Sequence, residues 1–211
     1  MNLLYLLFPL TSILLFIALI IVGRLNYKIY YGTAFSFLNL FPFEMNDKPR
    51  MKMNILFRLL LSLFAFSLCG PFIFMFGSYQ DILIKTIIAF ATVLSLSMMS
   101  IFMIDMRFYK AHISAAAIFF ILSIAFDFLV GYVYLVIVII PTYQAFPYIM
   151  FGSSFIKLLL ILNPKLAKWM IITVNEKGEA SRPRICSLVL TEWIFVILNI
   201  LSLILCSTGI M

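Results

Sequence analysis

The chain has 211 residues, 65% of them hydrophobic and 11% charged, with a formal net charge of +7. A soluble domain carries roughly 45–50% apolar and ~25% charged residues, so this chain has too little polar surface to wrap its apolar residues in water. The composition excludes a soluble globular protein and points to a polytopic membrane protein whose solvent is a bilayer.

The first apolar run covers residues 3–22. It has no basic residue before Arg24, is too long for the core of a secretory signal, and ends in "IIVGRLNYK". It reads as a retained transmembrane helix. Residues 23–54 mix basic residues with Tyr and Phe. Pro42, Pro49 and "MNDKP" argue against one continuous helix there, and part of the segment is expected to lie in the membrane interface. The second span covers 55–77, and Gly70-Pro71 predicts a bend or break within it. A short turn leads to the third span, 82–104. Residues 105–112 form a short loop, and 113–139 make a fourth span long enough to tilt. The fifth span covers 145–162. Residues 163–186 form the last polar segment, in which "TVNEKGEASRPR" reads as a solvated turn or hairpin with Lys177-Gly178 at its tip. The sixth span covers 187–205. The predicted fold is all-α: one membrane domain of residues 1–211, a six-helix transmembrane bundle.

Charge sets the orientation. Arg24, Lys28, Lys48, Arg50 and Lys52 lie in the first connection, and Arg107 and Lys110 in the third. Lys165, Lys168, Lys177, Arg182 and Arg184 lie in the fifth, while the second and fourth have no Lys or Arg. A six-span protein obeying the positive-inside rule gives this alternation. It places 23–54, 105–112 and 163–186 in the cytoplasm and both termini outside. The basic residues Arg24, Lys28, Lys48, Arg50, Lys52, Lys165, Lys168, Arg182 and Arg184 are read first as topology signals, and second as a surface for anionic headgroups or an acidic partner. The abundance of Ile, Phe, Leu, Met and Tyr fits an AT-rich coding sequence and points to a bacterial plasma membrane. A three-plus-three inverted repeat is disfavoured, because the first connection is long and the fourth very short.

Five ionisable residues fall inside spans or at their edges: Arg58, Lys85, Asp127, Lys157 and Glu192. Arg58 can snorkel, and Lys85 follows Asp81 by four residues, a favourable helical spacing. Arg58, Lys157 and Glu192 fall at one depth and either cluster or face the headgroups separately. Asp127, in "AFDFLVGY", is the deep one. Fourteen residues beyond Ile113, it lies about 21 Å into a ~30 Å core. Unpaired and ionised it costs at least ~2.5–3.5 kcal/mol on insertion scales, so it requires a proton, a partner or a wet cavity. Lys157 and Lys85 are the candidate partners. Asp105 lies roughly 20 Å from that level, which disfavours a paired-acid protease, and "GxGD" is absent.

No catalytic set emerges. There is one histidine, His112, read as an interface residue, and Cys69, Cys186 and Cys206 are scattered. That disfavours a metal site or a disulfide framework. No phosphate-cradling or nucleophile-elbow motif is present, so no cofactor is expected. Glu44/Asp47 and Glu176/Glu179 read as solvated pairs. Small residues at Ser114–Ala117, Ala91/Ser95 and Gly152–Ser154 allow close helix contacts. The expected function is that of a non-enzymatic subunit or accessory partner in a membrane assembly. The alternative is a small secondary transporter or channel-like protein with Asp127 as a proton or cation site. A membrane-embedded lipid-modifying enzyme ranks below both. The partners expected are the lipid bilayer and another membrane protein or a second copy of the chain, not nucleic acid.

Overall fold

The computed structural model describes residues 3–46, 51–104, 108–136, 144–164, 166, 173–174, 180–181 and 184–210. Six α-helices account for most of them: α1 (Leu3–Tyr31), α2 (Met51–Phe76), α3 (Ile82–Met103), α4 (Tyr109–Val136), α5 (Ala145–Ile161) and α6 (Ser187–Ile210). Five of these are long and apolar enough to cross a membrane; α5 is a shorter apolar helix. The chain is a multi-pass membrane protein by that measure. A two-rung antiparallel ladder pairs β1 (Thr173–Val174) with β2 (Ala180–Ser181). It flanks the tip expected at Lys177-Gly178, which lies outside the described residues.

Local chemistry explains the helix ends. α1 runs nine residues past the apolar stretch that ends at Val22, as far as Tyr31. Gly32 then takes φ +70°, and its N–H donates to the Lys28 carbonyl. A left-handed residue here turns the chain back, and only glycine adopts that conformation without strain. The Asp81 carboxylate caps α3 by accepting from the N–H groups of Leu83 and Ile84. The expected Asp81–Lys85 pairing is therefore replaced by a cap, and the Lys85 ammonium lies over the Phe76 ring. Of the bend or break expected at Gly70-Pro71, the break is absent: α2 stays helical through both residues. Pro71 leaves the Ser67 carbonyl without its helical donor, while Gly70 lets the Phe8 ring of α1 lie close against the backbone.

Each of α1 to α4 packs along the next helix in sequence, and α6 touches all five others. The first five helices thus form a curved row with α6 on its inner side. The α6 pattern agrees. Of residues 187–208, only one stripe, Leu190, Ile197 and Leu201, is exposed, whereas Glu192, Phe195, Val196, Asn199, Leu203 and Cys206 are buried.

Arg24, Lys28, Arg58, Lys110 and Arg184 all lie toward one end of the bundle, here called the basic end. The chain from Gly32 to Asn46 folds back into that end. A 3₁₀ turn, Pro42–Met45, is buried throughout. Leu38 accepts from the Cys186 N–H, and Leu40 accepts from the indole N–H of Trp193. Those two donors lie seven residues, or ~10 Å, apart along α6. Met45 reaches Gly23, and its carbonyl accepts from the Asn26 side chain. Non-helical backbone in a membrane protein is tolerated when buried in protein, and here Cys186, Trp193 of α6 and Asn26 of α1 donate to it. The stretch is called the plug here after its buried end, residues 40–45; residues 32–34 and Leu38 are exposed.

The plug can be displaced. A Cβ on Gly23 would meet Met45 Sδ, Cβ and Cγ at 2.6–2.9 Å, and Met45 Cβ cannot swing away because it is tied to the backbone. Gly23→Ala is expected to cost about 1–3 kcal/mol and to expose buried Cys186. Thermal unfolding in detergent, together with maleimide labelling mapped to Cys186, checks this. Unchanged melting and labelling would show that the plug is not held at Gly23.

Candidate functional site: a polar ladder between α4 and α6

Glu192, Asn199 and Cys206 are spaced by seven residues, so they share one face of α6. His112, Ser123 and Asp127 lie on the face of α4 opposite. All six are buried. The rungs differ in chemistry from one end to the other.

The rung nearest the basic end joins His112 and Glu192. His112 Nδ1 lies 2.7 Å from the Ile104 carbonyl, the cap residue of α3, and Nε2 lies 3.4 Å from Glu192 Oε1. A carbonyl only accepts, so Nδ1 carries hydrogen. The Nε2···Oε1 contact then holds one proton, either as imidazolium with carboxylate or as imidazole with carboxylic acid. Glu44 in the plug is close enough to interact with Glu192 electrostatically, and its Oε2 accepts from the Phe41 N–H at 2.6 Å. The Phe41 and Phe43 rings approach the imidazole edge-on. The plug, α3, α4 and α6 therefore meet at this rung.

The middle rung is neutral. The Ser123 hydroxyl donates to Asn199 Oδ1 at 3.0 Å, and Asn199 Nδ2 donates to Met98 Sδ on α3. It ties three helices together without any charge.

The third rung is the charged one. Lys157 Nζ lies 2.6 Å from Asp127 Oδ2, and both side chains are 0% exposed. Cys206 of α6 lies within electrostatic reach of the same carboxylate. Asp127 Oδ1 has no hydrogen-bond partner. The α4–α5 register produces the pair. Tyr134 meets Phe146, Phe128 meets Phe151, and the Ser154 hydroxyl donates to the Ile124 carbonyl. By that register Lys157 Cα lies four to six residues, ~6–9 Å, closer to the basic end than Asp127. The lysine stem spans the difference. An edge lysine in contact with lipid snorkels outward; this one reaches inward. α5, with 17 residues, is only about 25 Å long and ends roughly level with Phe119, so Lys157 is deeper than its distance from the helix end implies.

The sequence-derived candidates thus separate. Asp127 meets Lys157. Glu192 meets His112. Arg58 is exposed on α2, so Arg58, Lys157 and Glu192 form no common cluster. Lys85 remains at the opposite end. Arg24 lies over the Phe37 ring, and Lys28 and Arg184 are exposed. Lys48, Arg50, Lys165, Lys168 and Arg182 lie outside the described residues, as do Asp105 and the side chain of Lys52. Two residues change character. His112, read as interfacial, and Glu44, read as solvated, are both buried. The heptad spacing of Glu192, Asn199 and Cys206 was the signal available for the ladder. Nothing local marked Glu44.

Among the described residues, no three His, Cys, Asp or Glu side chains converge as metal ligands do. No family model matches the chain, and no curated protein or solved structure matches it either.

Removing one partner of the deep pair strands the other charge in an apolar interior. Asp127→Leu and Lys157→Met are each expected to cost about 3–5 kcal/mol, whereas the two combined should fall within ~1 kcal/mol of wild type. Unfolding titrations in mixed micelles of all three variants measure the coupling. Additive losses would show that the two residues do not interact.

Proposed function

We propose that this chain is a six-span plasma-membrane protein, both termini outside, that works as a non-enzymatic subunit or accessory partner of a membrane assembly. One observation carries the reading: the deepest charge is closed. Asp127 and Lys157 neutralise each other at 2.6 Å, and no water-sized space touches either side chain. A transport site must admit a substrate or exchange protons with water on one side. A sealed neutral pair instead fixes how α4 and α5 lie together, which is what a packing scaffold requires. The alternation of Lys and Arg among the connections supports the orientation.

A second reading keeps one specific support. Asp127 Oδ1 is buried without a partner, as a proton-accepting site would be once opened. The two readings separate in purified material. As a subunit, the chain is expected to leave mild detergent with a stoichiometric membrane partner or as a homo-oligomer, measured by native mass. Vesicles containing it should show no proton flux that Asp127→Asn abolishes. A lone monomer, or an Asp127-dependent flux, overturns the subunit reading. A reporter fused after Met211 is expected to read extracytoplasmic; a cytoplasmic signal there would remove the six-span topology.

A further inference from the structure

The outer face of α1 ends in a groove that none of the preceding interactions uses. Ile21, Arg24, Leu25 and Lys28 form one wall, and Ala34 and Phe35 of the returning chain form the other. The Gly32 turn brings the two walls together. The groove is open and holds about 280 Å³, several times the ~30 Å³ share of a water molecule. Among the described residues no carboxylate pairs with Arg24 or Lys28. Arg24 is steadied by its position over the Phe37 ring, 5.7 Å from the centroid. Among the described residues the groove is thus lined by two cations and four apolar side chains, with no negative charge.

The surface leading to it is equally selective. Leu7, Leu10, Leu14, Ile17 and Ile21 recur every three or four residues on α1, and all are exposed. Arg24 and Lys28 continue the same face. From Leu7 to Ile21 this apolar track is ~21 Å long, comparable to one leaflet of a bilayer. A ligand that fits both parts has a long hydrocarbon tail and an anionic head.

We propose that the groove at Arg24 and Lys28 binds an anionic phospholipid, with the phosphate between the two cations and an acyl chain along Leu14, Ile17 and Ile21. A free phosphate would ignore the track, and an acidic soluble peptide would not reach it.

The test uses the full-length protein in neutral detergent, titrated with phosphatidylglycerol or phosphatidylcholine, with retained lipid counted by native mass spectrometry. Wild type is expected to retain phosphatidylglycerol in preference to phosphatidylcholine. At roughly five-fold per surface cation, R24Q combined with K28Q should weaken that retention roughly 30-fold. A34W, which fills the groove without changing charge, should weaken it as well. K110Q combined with R184Q removes two other cations from the basic end and should leave retention unchanged. Millimolar inorganic phosphate should not displace the lipid. Equal retention by the R24Q/K28Q variant overturns the proposal, as does an equal loss in the K110Q/R184Q control, which would mean non-specific charge attraction. Full displacement by inorganic phosphate also overturns it, in favour of a phosphate site.

Discussion

A polar group inside this bundle is costly unless it finds its partner within the protein, because neither the hydrocarbon outside nor the packed interior offers water. That constraint explains why α6 occupies the centre. Its buried face carries Glu192, Asn199 and Cys206, and only a helix surrounded by the others can present three such groups to protein at once. It explains the plug too. The segment 32–46 has irregular backbone, yet the Leu38, Leu40 and Met45 carbonyls accept from Cys186 just before α6, from Trp193 of α6 and from Asn26 of α1. Withdrawing the segment would orphan both sides of those bonds, at about 1–3 kcal/mol for each buried group.

The polar rungs contribute order more than stability. A buried ion pair is weak evidence of a stable fold, since an apolar pair of similar volume performs as well or better. What Asp127 and Lys157 add is register: sliding α5 along α4 by one turn would part them. The His112–Glu192 rung adds the same kind of constraint between α4 and α6, and through Ile104 and Glu44 it extends to α3 and the plug. Three rungs spread along α4 pin rotation and translation together, in an interior where leucine-like packing alone tolerates many arrangements.

Hydropathy made the helices legible, and it placed most boundaries within a few residues. α3 and α5 begin at the positions expected, 82 and 145; Asp81 caps the first, and polar residues in sequence precede both. α1 was underestimated because hydropathy reports solvent preference. The backbone stays helical through Arg24 and Lys28 until Gly32 ends it. At Gly70-Pro71 the helix is unbroken, and the Phe8 ring of α1 lies against Gly70. The burial of Asp127 was legible from depth alone. Its partner was not settled by depth, because the early end of α5 puts Lys157 nearer mid-bundle than counting from a common surface allows. His112 and Glu44 were misjudged for one shared reason: both are buried by a chain reversal whose aromatic, basic sequence resembles an interface belt.

The shortness of the connection between α4 and α5 matters during synthesis. Asp127 and Lys157 sit on helices joined only by residues 137–144, so the pair needs nothing made later in the chain. As α5 leaves the ribosome, the two helices can enter the bilayer as a hairpin whose opposite charges cancel. A lone α4 would carry its carboxylate into hydrocarbon, whereas the hairpin partitions as a neutral body. Glu192 lacks this advantage. Its partner lies far earlier in the chain, so α6 must wait for a nearly complete row of helices before its acid has somewhere to go. α6 is then also the helix that reports whether the five before it have been assembled correctly.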